Sequence, residues 1–155
     1  MTSVEKPIVI LLADDDAEDR EMTRKALEKH RLANALYMVA DGEELVDFLH
    51  HRGQYSEPGS SPTPGLILLD LNMPRKDGRE ALAEIRADPV LRRIPVVVMT
   101  TSKAEQDIAK MYDLGTNSFI SKPVSLSKLA DVMLVLGQYW FQIVQLPNGF
   151  EPTPA

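Results

Sequence analysis

Five residues of this 155-residue chain have types and settings suited to phosphorus chemistry: Asp14, Asp15, Asp70, Thr100 and Lys122. Each follows or closes an apolar run. Three carboxylates brought together repel, and their titrations split apart. A divalent cation relieves that repulsion. Mg²⁺ prefers oxygen donors, keeps several waters, and takes one or two carboxylates together with phosphate oxygens. Asp15 and Asp70 fit that demand, with Asp14 acting directly or through a water. A carboxylate is also a nucleophile toward phosphorus and forms an aspartyl phosphate. An ammonium and a metal ion then neutralise the charge that develops on the phosphoryl group. Lys122 offers the ammonium as a point charge, and Thr100 offers a hydroxyl to a third phosphoryl oxygen.

These residues work together only if the fold brings them to one place. The runs at residues 8–13, 36–40, 66–69, 96–99 and 118–121 read as strands. The run before Asp70 is apolar throughout, as expected of a strand covered on both faces. Helical patterns fill residues 17–31, 43–52, 79–87 and 103–114, and a last helix runs from Ser125 as N-cap to about residue 141. Strand and helix alternate five times. That order predicts a single α/β domain, a doubly wound parallel (βα)5 sheet with helices on both faces. In such a sheet all the carboxyl ends of the strands share one edge, where ligands bind. Asp14, Asp15, Asp70, Thr100 and Lys122 therefore converge there.

Bulk properties bound the rest. The net charge is -6, which argues against nucleic acid as the main partner. There is no cysteine, hence no disulfide frame and no thiolate zinc site. No apolar run approaches the ~20 residues of a membrane span, and the N-terminus lacks a signal-peptide pattern. A cytoplasmic protein is expected. Residues 53–65 hold three prolines, three glycines and three serines and read as a surface loop, ordered or mobile. Residues 1–146 read as one domain with an extended last helix, and residues 147–155 as a proline-rich tail. The acids from Asp14 to Asp19, taken alone, read as a solvated helix start favoured by the helix dipole. His50 and His51 are neighbours on a helix and point different ways, so solvated histidines are expected there rather than a metal pair.

The segments ILLADDD, LILLDLNMPRKDG, IPVVVMTTS and FISKP resemble the receiver domain of two-component response regulators across residues 8 to about 136. The resemblance implies a flavodoxin-like sheet of order 2-1-3-4-5. It implies that Asp70 is the phosphoacceptor and that Asp14 and Asp15 form the acidic pair. Mg²⁺ would be held by Asp15, Asp70 and the backbone carbonyl of Asn72. Thr100 becomes the switch hydroxyl, Lys122 the phosphoryl-binding lysine, and Phe119 the rotating aromatic. Phe119 lacks the hydroxyl of the tyrosine common in one branch of the family. Such a chain is a phosphoacceptor that assists its own phosphorylation and dephosphorylation rather than an ordinary enzyme. Asn72 and Ser102 flank the site and are expected to tune phosphoryl lifetime.

The loop before the third strand, the segment KDGREALAEIRADPVLRRIPVVVMTTS and the ending QYWFQIVQLP resemble the regulators paired with bacterial phytochrome histidine kinases. That resemblance implies a red-light sensor kinase as phosphodonor. No helix-turn-helix pattern follows the receiver segments, so output through protein–protein contact is expected. The last helix carries apolar residues on more than one face. Leu129, Val132, Met133, Leu136, Tyr139, Trp140 and Phe141 are therefore expected to build a two-fold homodimer.

Two other readings compete. Asp14-x-Asp16 after an apolar strand resembles the first motif of haloacid-dehalogenase-type phosphatases. Glu18 stands where that family expects Thr or Val, and Asp70 and Thr100 would have no role. A phosphorylation-independent binding module of receiver fold usually loses an acidic residue or the lysine, and this chain keeps them all.

Overall fold

The computed structural model describes residues 9–29, 35–101, 105–123 and 125–139. Within them five strands alternate with five helices. They are β1 (Ile10–Ala13), α1 (Ala17–Lys29), β2 (Leu36–Val39), α2 (Gly42–His50), β3 (Leu66–Leu69), α3 (Gly78–Ala87), β4 (Val96–Thr100), α4 (Glu105–Leu114), β5 (Ser118–Ser121) and α5 (Leu126–Gly137). The strands pair in parallel in the order β2-β1-β3-β4-β5, as the resemblance implies. After β1 the chain winds to β2 on one side, then crosses to β3 on the other. The reversal opens a crevice beyond the carboxyl ends of β1 and β3.

Strand alternation explains both halves of the core. On one face Leu11, Ala13, Ile67, Leu69, Val96 and Val98 pack with Leu45, Phe48 and Leu49 of α2, Leu82 and Ile85 of α3 and Met111 of α4. On the other, Ile10, Leu12, Leu66, Leu68, Val97 and Met99 pack with Ala26 and Leu27 of α1 and Leu129, Ala130 and Met133 of α5. The central strands β1, β3 and β4 are buried along their whole length, hence their unbroken apolar runs.

The last helix starts as expected, with the Ser125 hydroxyl accepting the Lys128 N–H at 3.3 Å. Its apolar residues are used differently from the expectation. Leu129 and Met133 are 3% and 1% exposed, inside the monomer's own core against α1. They are not available to a second subunit. Val132 and Leu136 pack partly against the same cluster, while Val135 and Tyr139 are 63% and 50% exposed. The apparent second apolar face is thus largely the one that closes over the sheet. Trp140, Phe141 and residues 147–155 lie outside the described residues, as does Ser102.

The stretch after α2 is a surface loop anchored at Tyr55 and Ser61. α2 ends at His50, two residues before the expected end, and is capped by His51, whose φ of 56° is left-handed. A 3₁₀ turn over Gly53–Tyr55 follows and lays the Tyr55 ring on Phe48, centroids 4.9 Å apart. His51 is not simply solvated: its Nδ1 lies 2.7 Å from the hydroxyl of the buried Ser61, which pins the far side of the loop.

Candidate phosphoryl and cation site

Backbone pairing at the end of each central strand sets the height of each chemical group. The Asp14 N–H donates to the Val39 carbonyl at 3.1 Å, and the Asp70 N–H to the Ala13 carbonyl at 2.9 Å. The Lys122 N–H donates to the Thr100 carbonyl at 2.8 Å. These bonds extend the ladder by one step past β1, β3 and β5, so the carboxyl edge carries all the expected groups side by side. Asp14 and Asp70 are 1% and 8% exposed, and Thr100 is wholly buried at the last position of β4.

The Lys122 ammonium is the hub. Its Nζ donates to Asp14 Oδ2 at 2.7 Å, to Asp19 Oδ2 at 2.8 Å and to Asp70 Oδ2 at 3.3 Å. Burial works against the charged form of this lysine. The hydrogen bonds it donates to Asp14 and Asp19 and the charges of Asp14 and Asp70 outweigh it and hold the ammonium above its ordinary range. Asp14 is the opposite case. Burial raises its carboxyl above the ordinary carboxylate value, although Lys122 and the Asp16 N–H pull it down. A buried carboxyl raised in this way is a group short of positive charge.

Asp14, Asp15 and Asp70 each offer a carboxylate oxygen, and these oxygens lie within 4.8 Å of one another. Asp15 is exposed and the other two are buried. The donor set is all hard oxygen, with no imidazole among it, and one lysine does not balance its charge. These residues therefore fit a divalent cation such as Mg²⁺. Asn72 follows in the loop after β3, and its N–H reaches back toward Asp70 Oδ1 at 3.4 Å.

That loop is held from below. The Gly78 N–H donates to the Leu71 carbonyl at 2.9 Å, and the Gly42 N–H donates to the Lys76 carbonyl at 2.9 Å. Asp77 caps α3 by accepting the Glu80 N–H at 3.0 Å. Phe119 is half-buried and packs against the core, and its N–H donates to the Tyr112 hydroxyl of α4 at 3.2 Å.

Two residues at the site escape the sequence reading. Asp19 is not a solvated helix-start acid; it reaches Lys122. Arg20 donates from Nη1 to the Asp14 carbonyl at 2.7 Å and braces the β1 end. Neither follows a strand, so strand-end logic does not find them. The signal that could have done so is that α1 must begin beside the site, which turns its first-turn side chains toward the crevice.

The family model for the response regulator receiver domain matches residues 10–134. The chain belongs to the response regulator receiver family. It is 41% identical over 141 residues to the response regulator Rcp1 of Synechocystis sp., covering 91% of this chain and 94% of that one. The crystal structure of the phosphorylated cyanobacterial phytochrome response regulator RcpA superposes with a TM-score of 0.85 at 40% identity, covering 92% of this chain and all of that one. The structure of a response regulator in red-light signalling of R. palustris gives a TM-score of 0.86 at 29% identity, covering 93% of this receiver and all of that chain. A structure of Rcp1 was solved in an Mn²⁺-bound form, with a TM-score of 0.82 at 41% identity over 91% of this chain and 99% of that one. Among the described residues no helix is long and apolar enough to cross a membrane.

Proposed function

We propose that this receiver accepts a phosphoryl group on Asp70 from a phosphohistidine of a sensor kinase. The observation that carries the reading is the Lys122 ammonium bridging Asp14 and Asp70 at the carboxyl edge of the sheet. A carboxylate oxygen of Asp70 forms the new P–O bond as the P–N bond of the donor breaks, and the imidazole leaves with the electron pair. Asp14, Asp15, Asp70 and the Asn72 carbonyl would hold Mg²⁺, which when bound supplies positive charge to the phosphoryl oxygens. Lys122 takes one phosphoryl oxygen and the Thr100 hydroxyl another. Because Thr100 closes β4 and shares a ladder step with Ser121, its movement is felt at β5, next to Phe119. RcpA is a cyanobacterial phytochrome response regulator and the R. palustris protein is a regulator in red-light signalling, which supports a phytochrome-type kinase as donor. Output then passes by protein contact, and the exposed Val135 of α5 and Tyr139 just beyond its end mark a face for a homodimer in the cytoplasm.

Intact mass after incubation with acetyl phosphate tests the first claim. One phosphoryl adduct that requires Mg²⁺ and is absent in Asp70→Asn is expected. An adduct that persists in Asp70→Asn overturns the acceptor assignment. A wild-type chain that neither gains an adduct nor binds beryllofluoride would instead be a phosphorylation-independent binding module.

A further inference from the structure

We propose that Asp19 is a positioning residue that holds the Lys122 ammonium back from Asp70 and so weakens the site's hold on a phosphoryl group. The inference rests on Asp70 being the phosphoacceptor.

The geometry is specific. An ammonium has three N–H donors, and Lys122 directs them to Asp14, Asp19 and Asp70. Charge-assisted bonds of this kind run about 2.7–2.9 Å. The contacts to Asp14 and Asp19, at 2.7 and 2.8 Å, lie in that range; the contact to Asp70, at 3.3 Å, does not. The ammonium is seated between the two acids of β1 and α1, with Asp70 as its long contact.

Asp19 does not follow if the ammonium moves. Its N–H donates to Asp16 Oδ1 at 3.2 Å, and its carbonyl accepts the hydroxyl of the buried Thr23 at 2.9 Å. It stands on the first turn of α1, a helix packed against α5. A phosphoryl oxygen on Asp70 that takes an N–H from Lys122 draws Nζ toward β3. One of the two short contacts must then lengthen. The Asp14 side chain is 2% exposed, so water cannot take the place of the lysine there. The Asp19 side chain is 31% exposed and water can take over its oxygens. Asp19 is therefore the acceptor that is given up. Its negative charge also opposes an incoming anion, so both effects carry the same sign.

Beryllofluoride binding to the full chain at saturating Mg²⁺, followed by fluorine NMR, tests the proposal in wild type, Asp19→Asn and Glu18→Gln. Glu18→Gln removes the same charge from the same helical turn, at an exposed residue. Binding of Mg²⁺ alone is measured in parallel. Asp19→Asn is expected to bind beryllofluoride about threefold to fivefold more tightly, the scale of a partly exposed ion pair. Glu18→Gln is expected to match wild type, and Asp19→Asn to bind Mg²⁺ alone no more tightly than wild type. A purely structural defect weakens both ligands. Unchanged or weaker beryllofluoride binding in Asp19→Asn overturns the proposal, as does an equal gain in Glu18→Gln or an equal gain for Mg²⁺ alone. Failure of the wild type itself to bind beryllofluoride removes the phosphoacceptor reading instead, and the role of Asp19 with it.

Discussion

Gly78 is the residue on which the loop after Asp70 turns into α3, and Gly78→Ala is expected to damage stability and phosphorylation together. A Cβ built at Gly78 lies 2.5 Å from the Asp70 carbonyl oxygen and 2.8 Å from Leu71 Cα. Ordinary contact begins near 3.4 Å, so the overlap is close to an ångström. Both partners are backbone atoms of buried residues and no side chain can swing aside. The strain of forcing extra volume into a packed interior is about 1–3 kcal/mol. In a domain of this size that lowers the melting temperature by about 2–4 °C per kcal/mol. Relief by moving Asp70 shifts the acceptor relative to Asp14 and Lys122 by a comparable distance. A misplacement of about 1 Å at a reacting group slows a reaction by ~100-fold. Gly42→Ala is the comparison. Its Cβ would meet the Lys76 carbonyl oxygen at 2.1 Å, further along the same loop. It is expected to unfold at least as readily but to slow phosphorylation less. The assays are thermal unfolding by circular dichroism and the acetyl phosphate rate at a temperature where each variant is folded. A Gly78→Ala chain with wild-type melting and wild-type rate refutes the steric argument. A destabilised chain with full rate refutes the link to Asp70.

Two further outcomes follow from features away from the site. Arg86, half-buried on α3, donates to the carbonyls of Gly115, Arg92 and Ile94 and to Asn117 Oδ1. Burial lowers its pKa, and no carboxylate is among these acceptors. Arg86→Met is expected to cost about 3 kcal/mol in urea unfolding, because several carbonyls lose a charged donor at once, and a loss under 1 kcal/mol argues against that role. Tyr55 donates its hydroxyl to Glu44 Oε2 at 2.9 Å, and burial, then Glu44, raise its pKa well above the tyrosine value. A raised folded-state pKa means a contribution present below about pH 10 and lost as pH rises through the folded value. In alkaline absorbance titration Tyr55→Phe is expected to remove the last tyrosine step; loss of an earlier step refutes the assignment.

How much of this was legible in one dimension follows from where each residue sits. Asp14, Asp70, Thr100 and Lys122 lie at or just past the ends of strands. An apolar run marks a buried strand, strand alternation with helices makes the sheet parallel, and parallel strands end on one edge. Their convergence is thus set by pattern and connectivity alone. Only the order of strands, which places Asp14 next to Asp70 rather than across the sheet, came from resemblance.

Residues on helices behave differently, because their partners depend on how each helix is rotated and docked. The sequence shows that α5 is apolar on several sides but not which side closes over β1 and β3, so Leu129 and Met133 read as an outer face and proved to be core. The same limit hid Asp19, which looks like any first-turn acid until α1 is docked against α5 and its first turn meets Lys122. It hid the His51–Ser61 contact that pins the proline-rich loop, and the reach of Arg86 from α3 to Gly115 and Asn117. Periodicity tells which residues share a face of an element. Packing of one element on another chooses what that face meets, and only three-dimensional closure of the sheet by its helices makes that choice.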